Sequence, residues 1–283
     1  MNELRVTIYT PESMLSNPLK MLREMLRDLI DSRELAWRLM VRDLSAQYRQ
    51  TLLGFLWAII LPLANTLVWI FLSRSGVVNL SDTPLPYPIY VFTGTMLWAI
   101  LMDALNAPLQ MVTASKDMLA KINFPRDALL LAGIYKTLVN SLIKIALLMI
   151  GLIALGIYPN WGILLFPIGL FSLILVGTVV GLALTPVGLL YTDVGKAIPL
   201  LMQFLMYLTP VVFAMPKEGL PAILFQLNPL TPLILTARDW LTGFTPEYLV
   251  YFISVNVISI ILLFILWIIY RLAMPILIER MGS

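Results

Sequence analysis

Residues 248–270 read YLVYFISVNVISIILLFILWIIY. No charged side chain interrupts the run. As a helix it covers the roughly 30 Å of hydrocarbon in a bilayer, which takes about 20 residues. It does not alternate polar with apolar side chains, as a membrane β-strand would. Five more runs of this kind precede it, at 53–72, 88–107, 137–157, 163–189 and 197–215, each bounded by charge, proline or a turn-forming cluster. A helix satisfies its own backbone hydrogen bonds inside hydrocarbon. The pattern therefore predicts an all-α integral membrane protein with six transmembrane helices.

Composition agrees. Of 283 residues, 60% are hydrophobic and 12% charged, against roughly 45–50% and about 25% in a soluble domain; mean hydropathy is +0.90. Cysteine and histidine are both absent. That excludes disulfides, thiolate or imidazole metal sites, histidine-based catalytic triads and the usual near-neutral proton shuttle.

Lysine and arginine set the expected orientation. With both termini in the cytosol, sixteen of the chain's 19 Lys and Arg lie inside, and only Arg74, Lys217 and Arg238 lie outside. The net charge of +3 then reads as a topology signal, and no nucleic-acid partner is expected. Residues 1–52 form a cytosolic arm without a secretory signal. Within it Leu19, Leu22, Leu26 and Leu29 repeat at helical spacing. Farther on, Trp37, Met40, Val41, Leu44 and Tyr48 share one helical face, and Arg38, Arg42, Ser45 and Arg49 another. This is the pattern of a helix lying in the membrane interface, serving either as an anchor among lipids or as a surface for a partner.

Two cytosolic connections carry charge: 109–136, with Lys116, Lys121 and Arg126, and 191–196, with Asp193 and Lys196. They are too small for a catalytic domain and read as either solvated turns or a docking surface. On the outer side, residues 216–247 hold two semi-apolar stretches too short to span, expected as re-entrant or interfacial helices over the outer mouth.

Nucleotide-binding glycine motifs are missing, and the outer carboxylates Asp82, Glu218, Asp239 and Glu247 form no metal-holding pair, so no catalytic residue and no cofactor or metal is expected in this chain. Inside the spans, Asp103 and Lys144 fall at similar depth. They read as an ion pair between neighbouring helices or as a functional charge pair. Phe55, Ile59, Pro62, Thr66 and Trp69, with Asn65 beside them, form a stripe on the first span. Phe204, Tyr207 and Phe213 follow on the fifth. Aromatic faces with sparse hydrogen-bonding groups suit sugars, whose C–H faces pack on rings; ordinary interhelical packing is the alternative.

Residues 39–63, LMVRDLSAQYRQTLLGFLWAIILPL, supply Arg42, Asp43, Tyr48, Arg49, Thr51, Leu53, Gly54, Trp57 and Pro62 in one order and spacing. KINFPR at 121–126, LTPV at 208–211 and NPLTPL at 228–233 follow. In this combination the chain resembles the permease subunits of polysaccharide-exporting ATP-binding-cassette (ABC) transporters; Gln47 stands where many of them carry a basic residue. The resemblance implies a homodimer in the bacterial cytoplasmic membrane, with two cytosolic ABC ATPase subunits that bind ATP and Mg. The implied cargo is a lipid-linked polysaccharide, such as an O antigen. It also implies that spans one and five line a conduit, through Phe55, Asn65, Thr66, Trp69, Phe204, Tyr207 and Phe213. The ATPases would dock through Arg38, Arg42, Asp43, Tyr48, Arg49, Lys116, Lys121, Arg126, Asp193 and Lys196. The competing readings are an ion-coupled secondary transporter of a small solute, a membrane-embedded glycan-processing enzyme, and an ABC exporter of a drug or small lipid.

Overall fold

The computed structural model describes residues 18–49, 51–76, 83–122, 124–158, 160–216 and 218–282; the side chains of Tyr48 and Phe55, both expected site residues, lie outside the described residues. Among the described residues there is no strand. The helices are α1 (Pro18–Asp31), α2 (Arg33–Arg49), α3 (Trp57–Arg74), α4 (Tyr87–Ala114), α5 (Lys116–Lys121), α6 (Asp127–Ala154), α7 (Phe166–Leu190), α8 (Thr192–Tyr207), α9 (Gly219–Leu227), α10 (Leu230–Thr242) and α11 (Leu249–Gly282). Five of them, α3, α4, α6, α7 and α11, are long and apolar enough to cross a membrane, and α9 with α10 forms a pair bent by 81° that could make a sixth crossing.

The central pair is α4 and α7, whose apolar stretches are 78% and 67% buried, against 6% for α3. Small residues allow their close approach. Gly177 faces Ala104 and the Leu101 carbonyl, and Gly181 faces the Leu105 carbonyl so closely that no Cβ fits. This G-x-x-x-G spacing lets two backbones meet, the packing that substitutes for a hydrophobic drive between helices in lipid. On α6, Gly133 lies against Ala107 of α4 with more room, the nearest atoms to an added Cβ being 3.4 Å away.

Three expectations change in the structure. The long connection 109–136 is mostly helical, because α4 runs on to Ala114, α5 covers 116–121, and α6 starts at Asp127. Pro125 lacks an amide donor and suits a helix start, and Asp127 places an acid in the first turn. The connection 191–196 likewise belongs to α8, with Asp193 in its first turn.

The fifth expected span, 197–215, is the third change. Helix α8 has 16 residues, about 24 Å of helix at 1.5 Å per residue. It ends at Tyr207, and residues 208–216 continue without helical structure.

The arm is packed rather than free. Met25, Ala36, Leu39 and Met40 are buried in a second core with Met111, Leu129, Trp267, Tyr270 and Met274. Helix α2 therefore turns Ala36, Leu39 and Met40 toward the bundle, whereas Trp37 and Val41 of the expected apolar face remain exposed. Met40 was expected beside those two on a lipid-facing side. The bundle takes it because positions 36, 40 and 43 fall on one stripe, where Ala36 and Met40 are buried and Asp43 bonds to Lys136 of α6.

Candidate functional site

Two constellations stand out, at opposite ends of the bundle. The first surrounds the non-helical stretch after α8. Irregular backbone survives at membrane depth only where protein satisfies its polar groups. Asn228 Nδ2 donates to the Leu208 carbonyl at 2.9 Å and lies 2.8 Å from Thr209 Oγ1. The Tyr90 hydroxyl lies 3.0 Å from both the Pro210 and Phe213 carbonyls and donates to one at a time. Arg238 Nη2 donates to the Val211 carbonyl at 3.1 Å, and its Nε donates to Thr93 Oγ1 at 3.2 Å.

Arg238 is 1% exposed, with its guanidinium 3.7 Å from the centre of the Tyr90 ring. Expected as an outer loop charge, it is instead a buried cation on a π-face. It holds α10 to α4 and to the 208–213 segment. Gly94 makes room for it, since any Cβ there would meet the Val211 carbonyl and the guanidinium. Helix α10 closes at Gly243, whose φ of 88° is left-handed and whose amide donates to the Asp239 carbonyl at 2.8 Å.

This scaffold presents an aromatic cluster. Trp69 of α3 meets Tyr207 at 6.0 Å and Phe213 at 5.8 Å between ring centres, both edge-on, and Tyr207 and Phe213 are 6.3 Å apart. All three are partly exposed, and Phe204 and Asn65 are exposed. Thr66 is not on that surface. It is 4% exposed, its hydroxyl 3.1 Å from that of Thr95 in the seam between α3 and α4.

The second constellation joins the arm to the bundle. Lys136 Nζ donates to Asp43 Oδ2 at 2.5 Å, and Lys144 Nζ to Asp103 Oδ2 at 2.5 Å. The Asp43–Lys136 pair and Asp103 line a cavity of about 530 Å³. One stripe of each of three helices lines it: Asp43, Ala46 and Gln47 from α2; Asp103, Asn106, Ala107 and Gln110 from α4; Lys136, Thr137 and Asn140 from α6. Sequence reasoning found the charges but missed Asn106, Gln110 and Asn140. The available signal was the i, i+3, i+4 recurrence of polar side chains on α4 and α6.

The expected docking residues divide. Arg42 is exposed but donates to Ser115 Oγ at 3.0 Å. Asp43 is spent on Lys136. Arg38 pairs with Glu34 at 2.6 Å on an exposed face. Lys116, Lys121, Asp193, Lys196 and Arg49 are exposed, and Arg126 is half-buried, its carbonyl accepting from the Tyr270 hydroxyl at 3.3 Å. Nearby, Arg271 pairs with Asp28 and, at 3.7 Å, with Asp127, which also accepts from Trp267 Nε1 at 2.9 Å. These bonds fasten α1, α6 and α11 together.

No protein-family model matches the chain. It is similar to the O-antigen export system permease protein RfbA of Myxococcus xanthus, with 26% identity over 217 residues, covering 74% of this chain and 81% of that protein. The permease of the same name from Klebsiella pneumoniae is 24% identical over 73% of this chain and 80% of its own length. The polysialic acid transport protein KpsM of Escherichia coli is 23% identical over 81% of this chain and 88% of its own length. The resemblance read from the arm and first span thus extends over most of the chain. With its long apolar helices, it marks a multi-pass protein of the bacterial inner membrane.

Proposed function

We propose that this chain is the permease subunit of an ABC exporter that moves lipid-linked polysaccharide, such as an O antigen, across the cytoplasmic membrane. The similarity to O-antigen and polysialic acid permeases over 70–81% of the chain carries this reading. The chain holds no nucleotide-binding glycine motif, so the work of moving a polar polymer comes from two ABC ATPase subunits that bind ATP and Mg.

The working unit is a homodimer. Helix α3 is apolar but hardly buried within one copy, and Phe204, Leu200 and Leu201 of α8 are exposed. Those two surfaces, joined by the Trp69–Tyr207–Phe213 cluster, are the natural seam for a second copy. In this reading Trp69, Phe204, Tyr207, Phe213 and Asn65 line the conduit. Aromatic faces bind sugar rings without fixing a polymer in one register, which suits stepwise passage.

An ion-coupled secondary transporter is the weaker reading, because Asp43 and Asp103 are each neutralised by a lysine. Affinity purification from native membranes tests the proposal. Two copies of this chain with two copies of a P-loop ATPase are expected; recovery without any ATPase in gentle detergent refutes it.

A further inference from the structure

We propose that the cavity between α2, α4 and α6 is a binding site for an uncharged, polyhydroxylated ring, that is, a sugar unit. This deepens the export reading and rests on it for the meaning of the site, but the chemistry comes from the cavity itself. Its volume of about 530 Å³ lies within the range of small-ligand pockets, ~300–1,000 Å³.

Charge decides the class of ligand. Lys136, the one lysine in the wall, is held at 2.5 Å by Asp43, and Asp103 is held at 2.5 Å by Lys144 from behind the wall, so the wall carries no surplus cation for a phosphate. The same ammonium groups repel a metal ion from the two acids. What remains is hydrogen bonding without net charge: the carboxamides of Gln47, Asn106, Gln110 and Asn140. A carboxamide presents a donor and an acceptor side by side in one plane, matching two neighbouring hydroxyls of a sugar. Asn106 spends one N–H on the Met102 carbonyl at 2.8 Å, which fixes its side chain and leaves its oxygen as an acceptor. Each acid spends Oδ2 on its lysine and retains a second acceptor oxygen. Ala46 and Ala107 are small enough to leave the centre open.

The cost of this arrangement argues against a purely structural role. Polar side chains on helices of this apolarity are expensive unless paired. Apolar residues at 106 and 140 would close α2, α4 and α6 on one another. Gln47 and Gln110 are exposed while Asp43, Lys136 and Thr137 are largely covered, so the site opens near the end of α4 that leads into α5.

The sugar has two possible sources, a soluble glycan or the headgroup of a membrane glycolipid. The test is direct binding to purified protein, using methyl glycosides of common hexoses in detergent and monoglucosyl diacylglycerol in nanodiscs. Saturable binding is expected in one arm, weakened at least tenfold in Asn140→Leu and in the double variant Gln47→Ala, Gln110→Ala. The latter removes exposed side chains only and spares the packing. Binding in the first arm identifies a free sugar, and binding in the second alone a lipid-borne one. Absence of binding in both arms, binding unaffected by the variants, or binding of inorganic phosphate in place of sugar overturns the proposal. None of these results bears on ATPase co-purification, so this site can fail while the export reading stands.

Discussion

Lys136 Nζ and Asp43 Oδ2 lie 2.5 Å apart and join α6 to α2 across 93 residues of sequence. Both side chains are largely covered, at 13% and 16% exposure. Removing one partner from a fully buried pair costs ~3–5 kcal/mol, because the other charge is stranded. Residual exposure reduces that here to about 2 kcal/mol. Asp43→Ala is expected to lower the thermal unfolding midpoint in detergent, and the double variant with Lys136→Met to recover part of the loss. Additive losses in that double-mutant cycle would show that the contact contributes nothing.

The aromatic cluster separates assembly from transport. Trp69→Ala or Tyr207→Ala removes ring contacts worth about 0.5–1.5 kcal/mol each beyond the area they bury; both side chains are only partly covered, so the bundle is expected to stay folded. The dimer with its ATPases is expected to form, and surface polysaccharide to fall several-fold. Unchanged surface polysaccharide in both variants would remove these residues from the conduit.

Arg238 is tied by shape as well as charge. Arg238→Met leaves the Val211 carbonyl without its donor, a loss of about 1–3 kcal/mol. Arg238→Lys is expected to rescue little, because an ammonium cannot reach Thr93 and Val211 together while stacking on Tyr90. Full rescue by lysine, read from thermal unfolding, would mean that only the charge matters.

The seam between α4 and α7 tolerates no added methyl at its tightest point. Gly181→Ala pushes against the backbone carbonyl of Leu105, and overpacking of this kind costs about 1–3 kcal/mol. The control is Gly195→Ala, where the nearest neighbour of an added Cβ is Leu109 Cδ2 at 3.9 Å. Detergent melting curves should shift for the first and stay in place for the second.

Lys121 and Asp193 are exposed, and the export reading assigns them to the docking surface. Lys121→Glu is expected to leave melting temperature unchanged, and Asp193→Lys to lower stability only slightly, by about 0.3–1 kcal/mol for the acid lost from the first turn of α8, while both reduce substrate-stimulated ATP hydrolysis and export. Normal turnover and export in both variants would place the docking surface elsewhere.

The long helices were legible because hydropathy over twenty residues is a local property. Asp103 and Lys144 were also legible, since matched depth on neighbouring spans leaves two opposite charges little alternative to pairing. The end of α8 was not. Its apolar run continues through Val211 and Val212, and hydropathy does not register that Thr209-Pro210 breaks the helix. Nor does it show that Tyr90, Asn228 and Arg238, distant in sequence, hold the freed carbonyls. The bond from Arg42 to Ser115 escaped for the same reason: an arginine on an amphipathic arm looks alike whether or not it reaches a neighbouring segment. The carboxamides of the cavity were missed because a lone Asn or Gln on an apolar helix carries no signal of its own, and only their helical spacing joins them.

Prolines lie inside α3, α4, α7, α8 and α11, at positions 62, 108, 186, 199 and 275. Helix α6 runs through 28 residues without one. Each interior proline removes a hydrogen bond and gives its helix a place to bend; of the five membrane-long helices, α6 alone lacks such a place. It also bears both lysines that tie it to α2 and α4. For spectroscopists this supplies a common origin: a spin label on the exposed side of α6, paired in turn with labels on the proline-bearing helices, reads which of them bend or shift relative to it.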